Sequence, residues 1–332
     1  MSKSFSSYIH LAASLLAGLV LSACSAGNNK LPVLDENAVS VAGGFVSASR
    51  TQGVRADKIK KLVIPAFNVT YRLKAEDNVV SVSENGLDKV TTHIKVNVED
   101  ADVAMMQALT NKAYKVFVAE LEKAKFEVVA LDEVSKSDAY YQVNHKNLST
   151  SVSIDDKDVT LVPDGLKYYD PNDKMDPDGS FLMGVANINS AVNGDLVEEF
   201  GGEKDGVASL SVNMSVQFGN FDLEDHRVSP AIDFNPSFTV LGGDTDMSVT
   251  TEFKAVSMPG RVFYIPEESG VYSLNQDMGS KTNVISAMLE VGSKEGEEEY
   301  NATINAEYFE RAGLEQIQRV SQLLVQAVTG TN

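Results

Sequence analysis

From Ala208 to Phe218 the chain alternates without a break. Ala208, Leu210, Val212, Met214, Val216 and Phe218 are apolar, and Ser209, Ser211, Asn213, Ser215 and Gln217 between them are polar. Successive side chains of a strand point to opposite faces, so this pattern reads as a long strand and not as a helix. It predicts an antiparallel strand with one face on the core and one face in water. A chain with such a strand must build a substantial sheet around it.

Residues 58–131 supply a second kind of unit. Phe67, Val69, Tyr71 and Leu73 alternate with Asn68, Thr70 and Arg72, which predicts another half-buried strand. Pro65 lacks a backbone donor and places an edge or a bulge there. Ile94, Val96 and Val98 alternate with Lys95 and Asn97, and Asn85-Gly86 before them suits a hairpin turn. Met106, Leu109, Ala113, Phe117, Leu121 and Ala124 then recur at helical spacing, with Asp100 or Asp102 as cap. Phe126 to Leu131 reads as a short strand. Strand, helix and strand together form a crossover unit that buries what no element buries alone.

The rest is read more coarsely. Ser135 to Asn144 is a short helix carrying Tyr140 and Tyr141, and Val152 to Leu161 is a hairpin turning at Asp155 to Asp158. Leu166 to Tyr169 is one more strand, and 170–206 reads as long loops. Further strands are expected at Ser237 to Leu241, Met247 to Ala255, Arg261 to Ile265, Gly270 to Leu274 and Val284 to Val291. Glu307 to Val328 is a terminal amphipathic helix capped by Asn305, with Phe309, Gly313, Ile317, Val320, Leu324 and Ala327 as its stripe. The expected class is α+β, or mixed α/β: a largely antiparallel sheet, a crossover helix near 102–124 and a C-terminal helix.

Asp plus Glu number 47 against 28 Lys plus Arg, a formal net charge of -19. So acidic a surface repels phosphate backbones, so no nucleic-acid partner is expected. Cys24 is the only cysteine, so no disulfide forms within the chain and stability rests on packing.

The N-terminus carries the most specific signal. Lys3 precedes an apolar run from Ile9 to Leu21. As a helix this run is roughly 20 Å long, short of a bilayer span. Leu21-Ser22-Ala23-Cys24 follows. The segment resembles a bacterial lipoprotein signal peptide with its lipobox. That resemblance implies cleavage before Cys24, lipidation of Cys24 and a lipid bilayer held through N-terminal acyl chains, palmitate included. Each acyl methylene adds about 0.8 kcal/mol to such an anchor. Ser25 resembles the sorting position of outer-membrane lipoproteins. The alternative is a plain secretory signal cut after Ala26. The expected organisation is a signal peptide over 1–23, a tether over 24–57 and a periplasmic body over 58–330. A further division near residue 200 stays open.

Candidate sites are few. Asp170, Asn172, Asp173, Asp176 and Asp178 could gather around a hard cation, and calcium is the natural candidate. Their spacing is not that of an EF-hand, and Pro171, Pro177 and Gly179 equally suit a plain surface turn. His93, His145 and His226 show no metal-ligand spacing. Asp225 beside His226 could orient a general base, or both belong to a solvated turn. Tyr140, Tyr141, Tyr168 and Tyr169 read as a recognition surface or as ordinary core or boundary residues. No catalytic residue and no organic cofactor is assigned.

Val63-Ile64-Pro65-Ala66-Phe67-Asn68, the helix, and Phe126-Glu127-Val128-Val129 together carry a second resemblance. They resemble the N-terminal part of periplasmic α/β domains in curli-secretion channel lipoproteins and in lipoprotein activators of penicillin-binding proteins. The resemblance covers 62–131. The extra strands over 75–99 and the β-rich stretch 208–291 depart from it, and no functional residue carries over. The expected function is a non-catalytic assembly or protein-interaction module, anchored at the outer membrane and facing envelope partners in the periplasm. One alternative is a subunit of an oligomeric curli-type secretion channel, with 208–218 as a lipid-facing strand of about 9–11 residues. Another is a periplasmic hydrolase that uses Asp225 and His226.

Overall fold

The computed structural model describes residues 58–82, 89–99, 101–143, 151–155, 158–168, 188–223, 232–241, 244–250, 262–264, 272–273, 278–281, 284–294 and 297–329. The chain opens with β1 (Lys61–Arg72), followed by β2 (Lys74–Val82) and β3 (Lys89–Glu99). Helix α1 (Val103–Lys123) leads to β4 (Glu127–Val128) and the short helices α2 (Leu131–Val134) and α3 (Asp138–Val143). The hairpin β5 (Ser151–Asp155) and β6 (Asp158–Leu161) precedes α4 (Ile188–Glu199). Then come β7 (Val207–Leu223), β8 (Ile232–Val240), β9 (Asp246–Thr250), β10 (Val262–Tyr264), β11 (Tyr272–Ser273) and β12 (Met278–Lys281). The hairpin β13 (Ile285–Lys294) and β14 (Glu297–Ile304) precedes the terminal helix α5 (Ala306–Thr329).

The fold is mixed α/β with two sheets, a central helix and a C-terminal helix. In the ten-stranded sheet β1 and β7 lie side by side and run parallel. The other edge of β1 carries β4 and then β6, and the other edge of β7 carries β9 and then β8, antiparallel. The crossover from β1 through α1 to parallel β4 has the expected form. Asp102 caps α1, its side chain accepting from the Ala104 amide at 2.9 Å. Asn305 accepts from the Tyr308 amide at the start of α5.

Pro65 sits where the β1–β7 register slips, between Val63 and Ala66. It therefore marks a bulge in an internal strand and not an edge. Gly206 has a φ of 74°, and a Cβ there would lie 2.4 Å from the Lys58 carbonyl oxygen. Its own carbonyl accepts from the Lys60 and Lys61 amides, so this bare backbone guides the chain into β1.

Most of the buried apolar side chains form one core drawn from residues 59 to 328. Helices α1 and α5 pack on each other above one face of the ten-stranded sheet. Phe309 of α5 lies at its centre, with ring centroids 5.7 Å from Phe218, 5.7 Å from Phe238 and 6.3 Å from Tyr71. Gly313 lets the helices approach, since a Cβ there would meet Leu109 Cδ2 at 2.6 Å. A second, smaller core lies on the opposite face, built by Val63, Val134, Tyr140, Val162, Leu196, Val207 and their neighbours.

That second core corrects the expected wet face. Ser209, Ser211 and Ser215 of β7 and Asn68 of β1 are all buried. The strand predicted as antiparallel is antiparallel to β8 and β9 on one edge and parallel to β1 on the other. Residues 208–218, the candidate lipid-facing strand, thus lie mid-sheet. Three smaller expectations also change. The strand over 126–131 shrinks to Glu127–Val128, because Leu131 already opens α2. Leu166 makes only an isolated bridge to Asp164. Part of the stretch read as loops is α4, which helps to cover the second face. The strand near 284–291 extends to Lys294 and is followed by β14, which the alternation did not announce.

The four-stranded sheet has the order β13-β14-β3-β2, with β14 parallel to β3 and the outer pairs antiparallel. Ile94, Val96, Ala302 and Ile285 join it to the main core. Among the described residues β2 and β13 each pair on one side only.

Candidate functional site

Two surfaces concentrate polar or apolar groups where packing alone does not require them. The first is the second face of the ten-stranded sheet beyond the smaller core. Register sets Ala66, Asn68, Thr70 and Arg72 of β1 beside Ser211, Asn213, Ser215 and Gln217 of β7. The Asn68 amide donates to Asn213 Oδ1 at 2.6 Å, and the Thr70 and Thr160 hydroxyls lie 2.8 Å apart. Within β8 the Ser237 and Thr239 hydroxyls lie 2.9 Å apart along one face of the strand. Arg72 closes the row, donating to Asp244 at 2.7 Å. The buried hydroxyls of Ser211 and Ser215 find no hydrogen-bond partner among the described residues. Side chains that pair only in register hold the central strands in one alignment, because a slip would leave each of them buried and unpaired.

The second surface is the β13 edge of the smaller sheet. Leu289 is 69% exposed, Val291 53% and Met288 42%. Register sets Met288 opposite Ala302 and Leu289 opposite Asn301, so adjacent apolar residues appear on both faces of one strand. Two bulges, between Ile285 and Ala287 and between Glu290 and Gly292, bound the regular stretch Ala287–Glu290. Acidic groups surround it. Glu290 lies opposite Tyr300, whose hydroxyl donates to Glu298 at 3.0 Å. Partial burial pushes the Tyr300 hydroxyl up, and the hydrogen bond to Glu298 and the charges of Glu298 and Glu290 push it further. On the outer face Asn97 donates to Glu299 at 2.8 Å.

The candidate residues read from sequence fall in several places. Cys24, the acidic set Asp170, Asn172, Asp173, Asp176 and Asp178, and also His145, Asp225, His226 and Tyr169 lie outside the described residues. So does the turn at Asn85-Gly86. His93 is exposed on β3, opposite Glu297 of β14. Tyr140 is not a surface residue: it is buried in the smaller core and its hydroxyl accepts from the Lys167 amide at 2.7 Å. Tyr141 is exposed, with the Lys167 ammonium 5.2 Å from its ring centroid. Tyr168 packs against the smaller core. Of the three described tyrosines only Tyr141 is exposed, Tyr168 being half-buried and Tyr140 buried.

Among the described residues no three acidic, histidine or cysteine side chains converge as a metal site, and no helix is long and apolar enough to cross a membrane. A comparison with protein-family models, with curated proteins and with solved structures finds no match to this chain. The β13 edge went unmarked in the sequence, although its signal was there: Met288-Leu289 breaks the period of a half-buried strand.

Proposed function

We propose that this protein is an outer-membrane-anchored periplasmic lipoprotein whose body serves as a non-catalytic protein-interaction module. The observation that carries the reading is the β13 edge, with exposed Met288, Leu289 and Val291 on a strand paired on one side among the described residues. A row of unpaired backbone groups beside apolar side chains is a template for another chain. The lipobox-like Leu21-Ser22-Ala23-Cys24 supports the anchor.

The test uses the full chain in its native envelope, with a photo-crosslinking amino acid in place of Leu289 or, as control, of Lys115. Lys115 is exposed on α1, which belongs to neither sheet. The expected result is one discrete cross-linked product from position 289 and none from position 115. The same smear from both positions, or nothing from either, ends the interaction reading. Mass spectrometry of the N-terminal peptide checks the anchor separately, and an unmodified Cys24 thiol removes it.

A further inference from the structure

Resting on the reading of this body as an interaction module, we propose that the β13 edge takes up a short extended segment of a cationic partner, with apolar and basic residues in alternation. An added strand needs a free edge, apolar contacts at alternate positions and no edge charge that repels it. Proteins that guard an edge place lysine or proline on it or bend it with bulges, and here both bulges lie outside Ala287–Glu290. Between Ala287 and Val291 there is no lysine or proline, and Glu290 is the sole charged residue. The regular stretch Ala287–Glu290 between the bulges sets where the incoming strand pairs. Leu289 offers an apolar contact on one face. On the other face Glu290 lies beside Tyr300 and Glu298.

Charge selects the occupant. The neighbouring strand begins with Glu297, Glu298 and Glu299, and the whole chain carries -19. In register Lys294 lies opposite Glu297 and Lys95 opposite Glu299, while Glu290 and Glu298 have no basic residue opposite them. A basic residue at alternate positions would meet Glu290 while the apolar residues between meet Leu289. A second copy of this chain would bring an equally acidic body and another Glu290 to the same edge, and the two would repel.

The probe is a synthetic fluorescent peptide of about eight residues alternating lysine and valine, titrated into the full chain at low salt. One control has the same composition in two blocks, and another replaces lysine with glutamate. The alternating peptide is expected to bind, to weaken as salt rises and to slow amide exchange at Ala287–Glu290. Glu290→Lys and Leu289→Lys should each weaken it by about tenfold. Both positions are exposed, so circular dichroism should show an unchanged fold. Equal binding of the block or glutamate peptide overturns the proposal, as does protection elsewhere in the chain. Protection of the same amides that grows with protein concentration alone identifies a second copy as occupant and also overturns it. If position 289 cross-links a discrete partner while the alternating peptide does not bind, the module reading survives and the cationic-strand inference fails.

Discussion

The ten-stranded sheet hides serines, threonines and Asn68, while the four-stranded sheet displays leucine, methionine and valine. Each holds alternating strands, β1 and β7 in the larger sheet and β3 in the smaller. They differ in what lies on each side. Helices α1 and α5 cover one face of the larger sheet, and the smaller core under α2, α3 and α4 covers part of the other. The smaller sheet buries one face through Ile94, Val96 and Ala302, and β13 extends past that core. Polarity along a strand therefore says which residues share a face, and neighbours decide whether that face is wet.

The contrast can be broken first at Phe309. Phe309→Ala removes the ring that Phe218, Phe238 and Tyr71 surround, and should lower stability by about 3–5 kcal/mol in urea unfolding. A loss under about 1 kcal/mol would mean that the core between α5 and the sheet is loosely packed.

Alkaline pH probes the same core. Burial pushes the hydroxyls of Tyr71 and Tyr114 well above the usual tyrosine range, and the Thr110 hydrogen bond offsets this in part at Tyr71. Below about pH 10 the folded and unfolded chains both hold these protons. Above it the unfolded chain releases them while the folded chain keeps them, so stability falls by about 1.4 kcal/mol per pH unit for each tyrosine. Urea midpoints measured from about pH 9 to about pH 11 should fall, and Tyr114→Phe should flatten the slope. A flat wild-type profile would contradict the burial of both hydroxyls.

A smaller effect is expected where the helices touch. Gly313→Val forces a side chain against Leu109 and Phe238 and should cost about 1–3 kcal/mol. Unchanged thermal unfolding would show that α1 and α5 separate freely. On the hidden polar face the sign reverses. Ser211→Ala deletes a buried hydroxyl without a partner among the described residues and should stabilise by about 1 kcal/mol. Destabilisation would reveal a hydrogen bond to that hydroxyl. The smallest change belongs to the displayed edge, where Leu289→Ala should move stability by less than about 0.5 kcal/mol. A larger loss would make Leu289 part of the fold instead of a contact for another chain.

Much of the architecture was legible because it follows local periods. The helical spacing from Met106 to Leu121 and the hairpin ending at Leu161 are present as read, and of the two candidate caps Asp102 is the one used. Pro65 was legible as a choice between edge and bulge, and the β1–β7 register decides for the bulge. Helix α4 escaped notice because Asn189, Ser190, Asn193, Gly194 and Asp195 are weak helix formers, and packing against the sheet overrides that preference. Strand β14 begins with three glutamates, which disfavour a strand locally, yet it lies between β3 and β13 in the sheet. The candidate edge was legible only as one irregularity at Met288-Leu289, since exposure depends on where the core stops.

By itself the sequence determined most of the element types, the crossover unit and the acidic character, because propensity, period and charge are properties of neighbouring residues. Only the tertiary structure decided that β1 and β7 lie parallel at the centre of one sheet, that their polar face is buried, and that β13 is left with apolar side chains in solvent. Those outcomes depend on contacts between segments far apart in the chain, and alternation along a strand is the same whether its second face meets water, a helix or another protein.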